Sequence, residues 1–256
     1  MKAYNFFLDI DDTLIPSGSG VIPEENLDAI KRAKDKGCKF FINTGRPFCD
    51  VEKEVFSDTY FDGICSGGDY ATYHGEVIYS HFMTTEDGEA LLKELRKYKV
   101  NFNIGSLTHR YYLGEWLPHF RKGIYLPIEE IGLDAVLSDT ELQKYVVSGE
   151  KMPEPGVINE IKKYFGVIKH PTYTEGFLHG HGKAFLMRQL EERLSLPHEM
   201  TVAIGDSHND TDMLSYASVS VAMGNAPNDV KELCTFVTDS TENNGVARAI
   251  EMLTSI

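Results

Sequence analysis

Short, unbroken apolar runs alternate with amphipathic stretches over the first eighty residues of the chain. AYNFFLDI has no polar face until its end, the pattern of a strand covered on both sides, and KFFINT and FDGICS repeat it. Between the first two, PEENLDAIKRAKDKG opens with Pro and acidic residues and closes on Gly, as a helix does when its charges complement its own dipole. PFCDVEKEVF reads as a second, short helix. The order β-α-β-α-β predicts a parallel sheet with right-handed crossovers.

The same rhythm returns from about residue 176. GKAFLMRQLEERL, NDTDMLSYA and DVKELC read as helices, TVAIGD and SVSVAM as strands, and GVARAIEML as a closing helix. Between the two halves the texture changes: a TEDGEALLKELRKY helix is followed by short runs rich in Tyr, Ile and Val, which marks an inserted α+β unit. The chain is therefore expected to be α/β, with a Rossmann-like, doubly wound parallel-sheet core formed by residues 1–82 and 176–256. A second, smaller α+β domain is expected over residues 83–175. No internal repeat is visible.

Composition narrows the function. The 256 residues carry 25 Lys and Arg against 39 Asp and Glu, a net charge of −14 that repels nucleic acid and anionic membrane surfaces. An anionic small molecule would need a locally positive pocket or a bound cation to enter. The N-terminal apolar run meets three aspartates before a signal-peptide core could finish, and no segment approaches the roughly 20 apolar residues that cross a bilayer. Cys38, Cys49, Cys65 and Cys234 show no CxxC spacing and suit reduced, buried thiols. These features point to a cytoplasmic enzyme with no nucleic-acid, membrane or obligatory protein partner.

Open parallel sheets bind ligands beyond the carboxyl ends of their strands, and the polar loops of this chain fall there. FLDIDDTL places Asp9, Asp11 and Asp12 directly after the first strand, where one carboxylate could attack as nucleophile while another moves a proton; a solvated turn or helix cap has the same composition. AIGDSHNDTDML adds Asp206, Asp210 and Asp212 after a late strand, and oxygen ligands from two loops suit magnesium. In NTGRP, Thr44 can donate to a phosphoryl oxygen and Gly45 lets the backbone N–H approach it. Lys183 opens a helix after GFLHGHG, placed to neutralise charge on a transferring phosphoryl group.

Taken together, FLDIDDTL, FINTGRP, Lys183 and GDSHND resemble, in order and separation, the four motifs of the haloacid dehalogenase superfamily, in particular its Cof-type phosphatases of type IIB. The likeness runs over nearly the whole chain, including VAMGNAPNDVKELCTFVTDSTENNGVARAIEML near its end. The resemblance implies a Mg2+-dependent phosphatase that acts on small phosphate monoesters, such as sugar phosphates or related metabolites, through an aspartyl-phosphate. It makes Asp9 the nucleophile and Asp11 the acid and base. Thr44, Lys183 and Asn209 would hold phosphate. From the residues themselves, Gly45 belongs with them, and Arg46 beside Thr44 could meet a second anionic or hydroxyl group of the substrate or form a surface ion pair. Asp9, Asp11 through its carbonyl, and Asp206 would form the metal site, with Asp210 supporting it. The insertion resembles the family's cap domain in position and size.

Two departures stand out. Asp12 occupies a position where many members carry Gly, and SGGDYA replaces the frequent SNGA. His109, Arg110, Trp116 and His119 are candidate contacts from the cap, while His179 and His181 read as loop residues. Two rivals share the fold: a phosphomutase, which returns the phosphoryl group to a bound sugar phosphate, and a non-catalytic sugar-phosphate sensor.

Overall fold

A computed structural model describes residues 2–51, 57, 59–96, 101–114, 124–148, 159, 162, 165–169 and 173–255. Its strands, in chain order, are β1 (Asn5–Leu8), β2 (Lys39–Thr44), β3 (Gly63–Ser66), β4 (Tyr70–Tyr73), β5 (Glu76–Ser80), β6 (Asn101–Gly105), β7 (His109–Leu113), β8 (Ile124–Pro127), β9 (Tyr145–Ser148), β10 (Phe165–Lys169), β11 (Tyr173–Leu178), β12 (Thr201–Gly205), β13 (Val219–Ala222) and β14 (Phe236–Val237). The helices are α1 (Glu24–Lys34), α2 (Thr85–Arg96), α3 (Ile128–Ile131), α4 (Leu133–Leu137), α5 (Lys183–Leu194), α6 (Thr211–Tyr216), α7 (Asn228–Glu232) and α8 (Gly245–Thr254).

Among the described residues the strands form two sheets. The larger has the order β14-β13-β12-β1-β2-β3-β4-β5, and the smaller β10-β11-β9-β6-β7-β8. Strand β1 is central because it pairs in parallel with both β12 and β2, so the chain winds away from it in two directions. Its apolar continuity follows from having two covered faces. On one face Phe6 stacks on Phe40 at 4.7 Å in the core shared with α1 and α8; on the other Phe7 stacks on Phe41 at 4.9 Å beneath α5 and α6. An α/β fold with helices on both faces of a largely parallel sheet results.

The far edge of this sheet is antiparallel, a feature absent from the sequence reading. Strands β4 and β5 form a hairpin through His74 and Gly75, whose positive φ values of 48° and 80° suit a two-residue turn matching strand twist. The helix expected over PFCDVEKEVF also differs. It begins as a 3-10 turn over Phe48–Asp50, after which Val51 is extended; residues 52–56 lie outside those described.

The smaller sheet packs α2 against one face, with Leu91, Leu92 and Leu95 meeting Phe102, Ile104, Tyr145 and Val147. Its other face looks onto the loop after β2. Gln143 accepts the Phe48 N–H at 2.8 Å and donates to Asp69 at 2.6 Å, and the buried Arg110 pairs with Asp50. The second sheet is thus tied to the loops at the carboxyl ends of the first.

Candidate active site

The crevice beside β1 gathers residues from four separate segments. Asp9 follows β1 directly and is 4% exposed, Thr44 ends β2, Lys183 begins α5, and Asp206 follows β12. The Lys183 ammonium donates to Asp9 Oδ1 at 2.5 Å and also to Asp210 Oδ1. Burial alone would lower the Lys183 pKa, but Asp210 and Asp9 outweigh it and hold the ammonium firmly charged. Burial pushes the Asp9 carboxyl well above the ordinary carboxylate range; Lys183 opposes this and Asp210 adds to it.

Asp210 is fully committed. One oxygen accepts from Lys183, and the other accepts the backbone N–H groups of Asp206 and Ser207, each at 3.0 Å. It therefore folds the loop and orients Lys183. Asp206 is freer: Thr13 donates to it at 3.1 Å, and burial together with Asp210 pushes its carboxyl up to about 7.

Asp9, Asp206 and Asp210 each offer an oxygen within 4.8 Å of the others. Three carboxylates facing one ammonium leave two negative charges uncompensated in a site largely closed to water. A divalent cation would balance them, and an all-oxygen donor set is the kind magnesium takes. The residues present fit that ion. The Asp11 carboxylate is not part of this group. It is exposed and bound bidentately by Arg46, with Nε to Oδ2 at 2.9 Å and Nη2 to Oδ1 at 2.5 Å.

Asp12 has a local explanation. Its φ of 58° lies in the left-handed region, where Gly is at ease and Asp is among the tolerated alternatives. Its carboxylate turns outward and accepts the N–H and hydroxyl of Ser17 at 2.9 and 2.8 Å, while its carbonyl accepts from Asn225 at 2.9 Å and from Thr241. The Asp12 side chain thus caps its own turn.

Gly45 and Asn209 continue the site, with Thr44 buried at the end of β2 directly before Gly45. The Arg46 N–H donates to Thr44 Oγ1 at 3.1 Å, leaving the hydroxyl proton available, and Ser207 donates to Asn209 Oδ1 at 2.7 Å. Gly45 and Asn209 border a cavity of about 340 Å³ that also reaches Gly67, Gly68 and Lys183. Lys144 and Glu175 from the smaller sheet also line it, with Lys144 donating to the Gly45 carbonyl at 2.7 Å, and sequence reasoning missed both. Neither lies in a motif, and only the pairing of β9 with β11 brings them together.

The remaining candidates disperse. Arg110 is buried against Asp50 and Asn103 and ties the two sheets together. His109 shares a hydrogen bond of 2.7 Å with Thr108, and Trp116 and His119 lie outside the described residues. His179 bonds the Lys162 carbonyl at 2.8 Å. His181 stacks on Phe185 at the cavity margin, where burial lowers its pKa to about 4.

A sequence profile of the haloacid dehalogenase-like hydrolases matches residues 6–250, and the chain belongs to that family. Within it the chain is a phosphatase, a hydrolase of phosphoric monoesters. It is 28% identical over 246 residues to the 5-amino-6-(5-phospho-D-ribitylamino)uracil phosphatase YcsE of Bacillus subtilis (strain 168), with 95% of this chain and 92% of the relative covered. The fold is similar to that of a subclass IIB sugar phosphatase, with a TM-score of 0.85, 24% identity and coverage of 99% and 100%. A phosphatase from Bacteroides thetaiotaomicron gives a TM-score of 0.84 at 22% identity, covering 99% and 96%. No helix among the described residues is long and apolar enough to cross a membrane.

Proposed function

We propose that this chain is a magnesium-dependent phosphatase of small phosphate monoesters, sugar phosphates or related metabolites, working through an aspartyl-phosphate on Asp9. The observation that carries the reading is the buried Asp9 carboxylate, held 2.5 Å from Lys183, which itself lines a cavity of about 340 Å³. An Asp9 oxygen attacks phosphorus, and the bond to the leaving alcohol breaks as Asp11 gives that alcohol a proton. Asp11 then takes a proton from water, whose oxygen attacks the same phosphorus and frees Asp9. Lys183, the Thr44 hydroxyl, the Gly45 N–H and Asn209 hold the phosphoryl oxygens.

Magnesium would be held by Asp9, Asp206 and the Asp11 carbonyl, supported by Asp210, and would supply charge neutralisation at the phosphoryl group. Arg46 holds the Asp11 carboxylate away from the ester oxygen, so Asp11 must leave that ion pair and take up a proton from solvent before it can give one to the leaving alcohol. Residues 83–175 act as the closing domain that excludes water.

The test is a panel of sugar phosphates, nucleotides and 5-amino-6-(5-phospho-D-ribitylamino)uracil, with and without Mg2+, using wild type and Asp9→Asn. Phosphate release should need Mg2+ and vanish in Asp9→Asn while its circular dichroism is preserved. Undiminished turnover in that variant refutes the nucleophile. Isomerisation of glucose or mannose phosphate faster than phosphate appears would make the protein a mutase.

A further inference from the structure

Lys183 is the first residue of α5, and a helix end frays unless something outside the helix holds it. The preceding Gly182 has no side chain with which to cap the first turn, so the cap comes from another segment. Asp212, in α6, accepts the Ala184 N–H on Oδ2 at 3.0 Å, and its Oδ1 accepts the Met213 N–H at 2.8 Å. Gly182 leaves room for this contact, because a Cβ there would fall 2.7 Å from Asp212 Oδ2.

Asn43, directly before Thr44 in β2, reaches the same turn. Its Nδ2 donates to the Lys183 carbonyl at 3.2 Å and lies 3.5 Å from Met213 Sδ. Asn43 is fully buried, and its Oδ1 has no hydrogen-bond partner among the described residues. A buried amide left half-satisfied costs stability that a small apolar residue at the same place would not. What the amide adds in return is the bond to Lys183. Asp212 likewise stands apart from the three carboxylates that could share a metal, and its reach is toward the backbone that carries the ammonium.

Resting on the phosphatase reading above, we propose that Asn43 and Asp212 are positioning residues for Lys183, clamping the first turn of α5 so that the ammonium stays on the phosphoryl oxygens while Asp9 reacts. Once an Asp9 oxygen attacks phosphorus, that carboxylate loses negative charge and with it part of its hold on the ammonium. Asp210 still draws the ammonium from one side, and the clamp fixes the backbone from which the side chain reaches. A displacement of about 1 Å at such a group can cost about a hundredfold in rate.

The test measures kcat/KM with Mg2+ on glucose 6-phosphate, ribose 5-phosphate and p-nitrophenyl phosphate, together with the thermal midpoint. Asp212→Ala and Asn43→Ala should each lower kcat/KM on the best of these by about tenfold or more. Asp212→Asn keeps an acceptor for the Ala184 N–H and should recover to within about threefold of wild type. Asn43→Ala removes an unsatisfied amide along with the bond, so its thermal midpoint should stay within about 4 °C of wild type. In Lys183→Met, adding either alanine should change the remaining rate by less than about threefold, since the group they position is gone.

Either alanine variant within about threefold of wild type, Asp212→Asn as slow as Asp212→Ala, or full alanine effects persisting in Lys183→Met overturns the proposal. In each case the phosphatase reading stands. If Lys183→Met has no measurable rate, or Asn43→Ala does not fold, the recovery in Asp212→Asn decides. Release of phosphate from none of the probes by wild type sinks that reading and this inference with it.

Discussion

The Lys183 ammonium lies 2.5 Å from Asp9 Oδ1, an ion pair between residues 174 positions apart, with each side chain only 5% exposed. Removing the cation strands Asp9 and Asp210 together. Lys183→Met should therefore cut phosphate release by about two orders of magnitude or more. It should also lower stability by about 3 kcal/mol in urea unfolding without metal. Near-normal turnover would mean that Lys183 does not serve the phosphoryl group.

The charge imbalance among Asp9, Asp206, Asp210 and Lys183 makes a cation effect directional. Added Mg2+ should raise the thermal unfolding midpoint, as any ligand of the folded state does, and chelation should abolish phosphate release. Asp206→Asn should lose both the midpoint shift and most of the activity. An unchanged shift in that variant would place the ion elsewhere.

Asp12 offers a test of a residue whose side chain faces away from the chemistry. Asp12→Gly keeps a backbone that accepts a φ of 58° and loses only the hydrogen bonds to Ser17. Turnover should stay within about threefold of wild type and stability within about 1 kcal/mol, because relief of left-handed strain offsets the lost bonds. Steady-state rates and urea unfolding decide it; a collapse of activity would give the Asp12 carboxylate a role at the metal.

Asp69 predicts a pH dependence. Burial lifts its carboxyl from an ordinary 3.8 to about 8, against the Gln143 hydrogen bond and Lys144, which pull it down. The folded chain thus keeps a proton that the unfolded chain has released, so stability falls as pH climbs from about 4 to about 8. Asp69→Asn retains an acceptor for Gln143 and removes the titration. Its stability relative to wild type should grow by about 1–3 kcal/mol between pH 5 and pH 9. A flat difference across that range would refute the assignment.

Close docking of the two sheets depends on a missing side chain at Gly105. A Cβ there would fall 2.4 and 2.5 Å from Pro47 atoms. Gly105→Ala should lift the smaller sheet from the loop after β2 and lower kcat/KM by about tenfold, with a lower thermal midpoint. Unaltered kinetics would show that this contact does not set the working geometry.

The strands of the larger sheet were legible because each is covered on both faces and so reads as a continuous apolar run. Asp9, Thr44, Lys183 and Asp206 were legible as a group for a related reason: each sits where such a run ends or a helix begins. The β4–β5 hairpin was not recognised, although His74-Gly75 between alternating Tyr and Val positions is a local turn signal. Lys144 and Glu175 left no such trace. Their proximity depends on strand pairing across a segment with weak periodicity, and a buried Lys next to a strand looks in sequence like a surface one. The bond of Arg46 to Asp11 was hidden for the same reason, since the loops that carry them converge only once β1 and β2 are in register.

Strand β1 is made first and needs a neighbour that arrives near the end. Asn5 pairs with Thr201, so closing that side of the sheet joins positions roughly two hundred apart, a highly non-local contact that slows folding. During synthesis NFFL can pair with β2 soon after emerging, yet its other edge stays open until residue 205 has left the ribosome. That interval is the nascent chain's window for misassembly and for chaperone capture. Lys183 and Asp206 emerge within the same late stretch, so an unfinished polypeptide carries Asp9, the proposed nucleophile, without the residues that surround it in the folded chain.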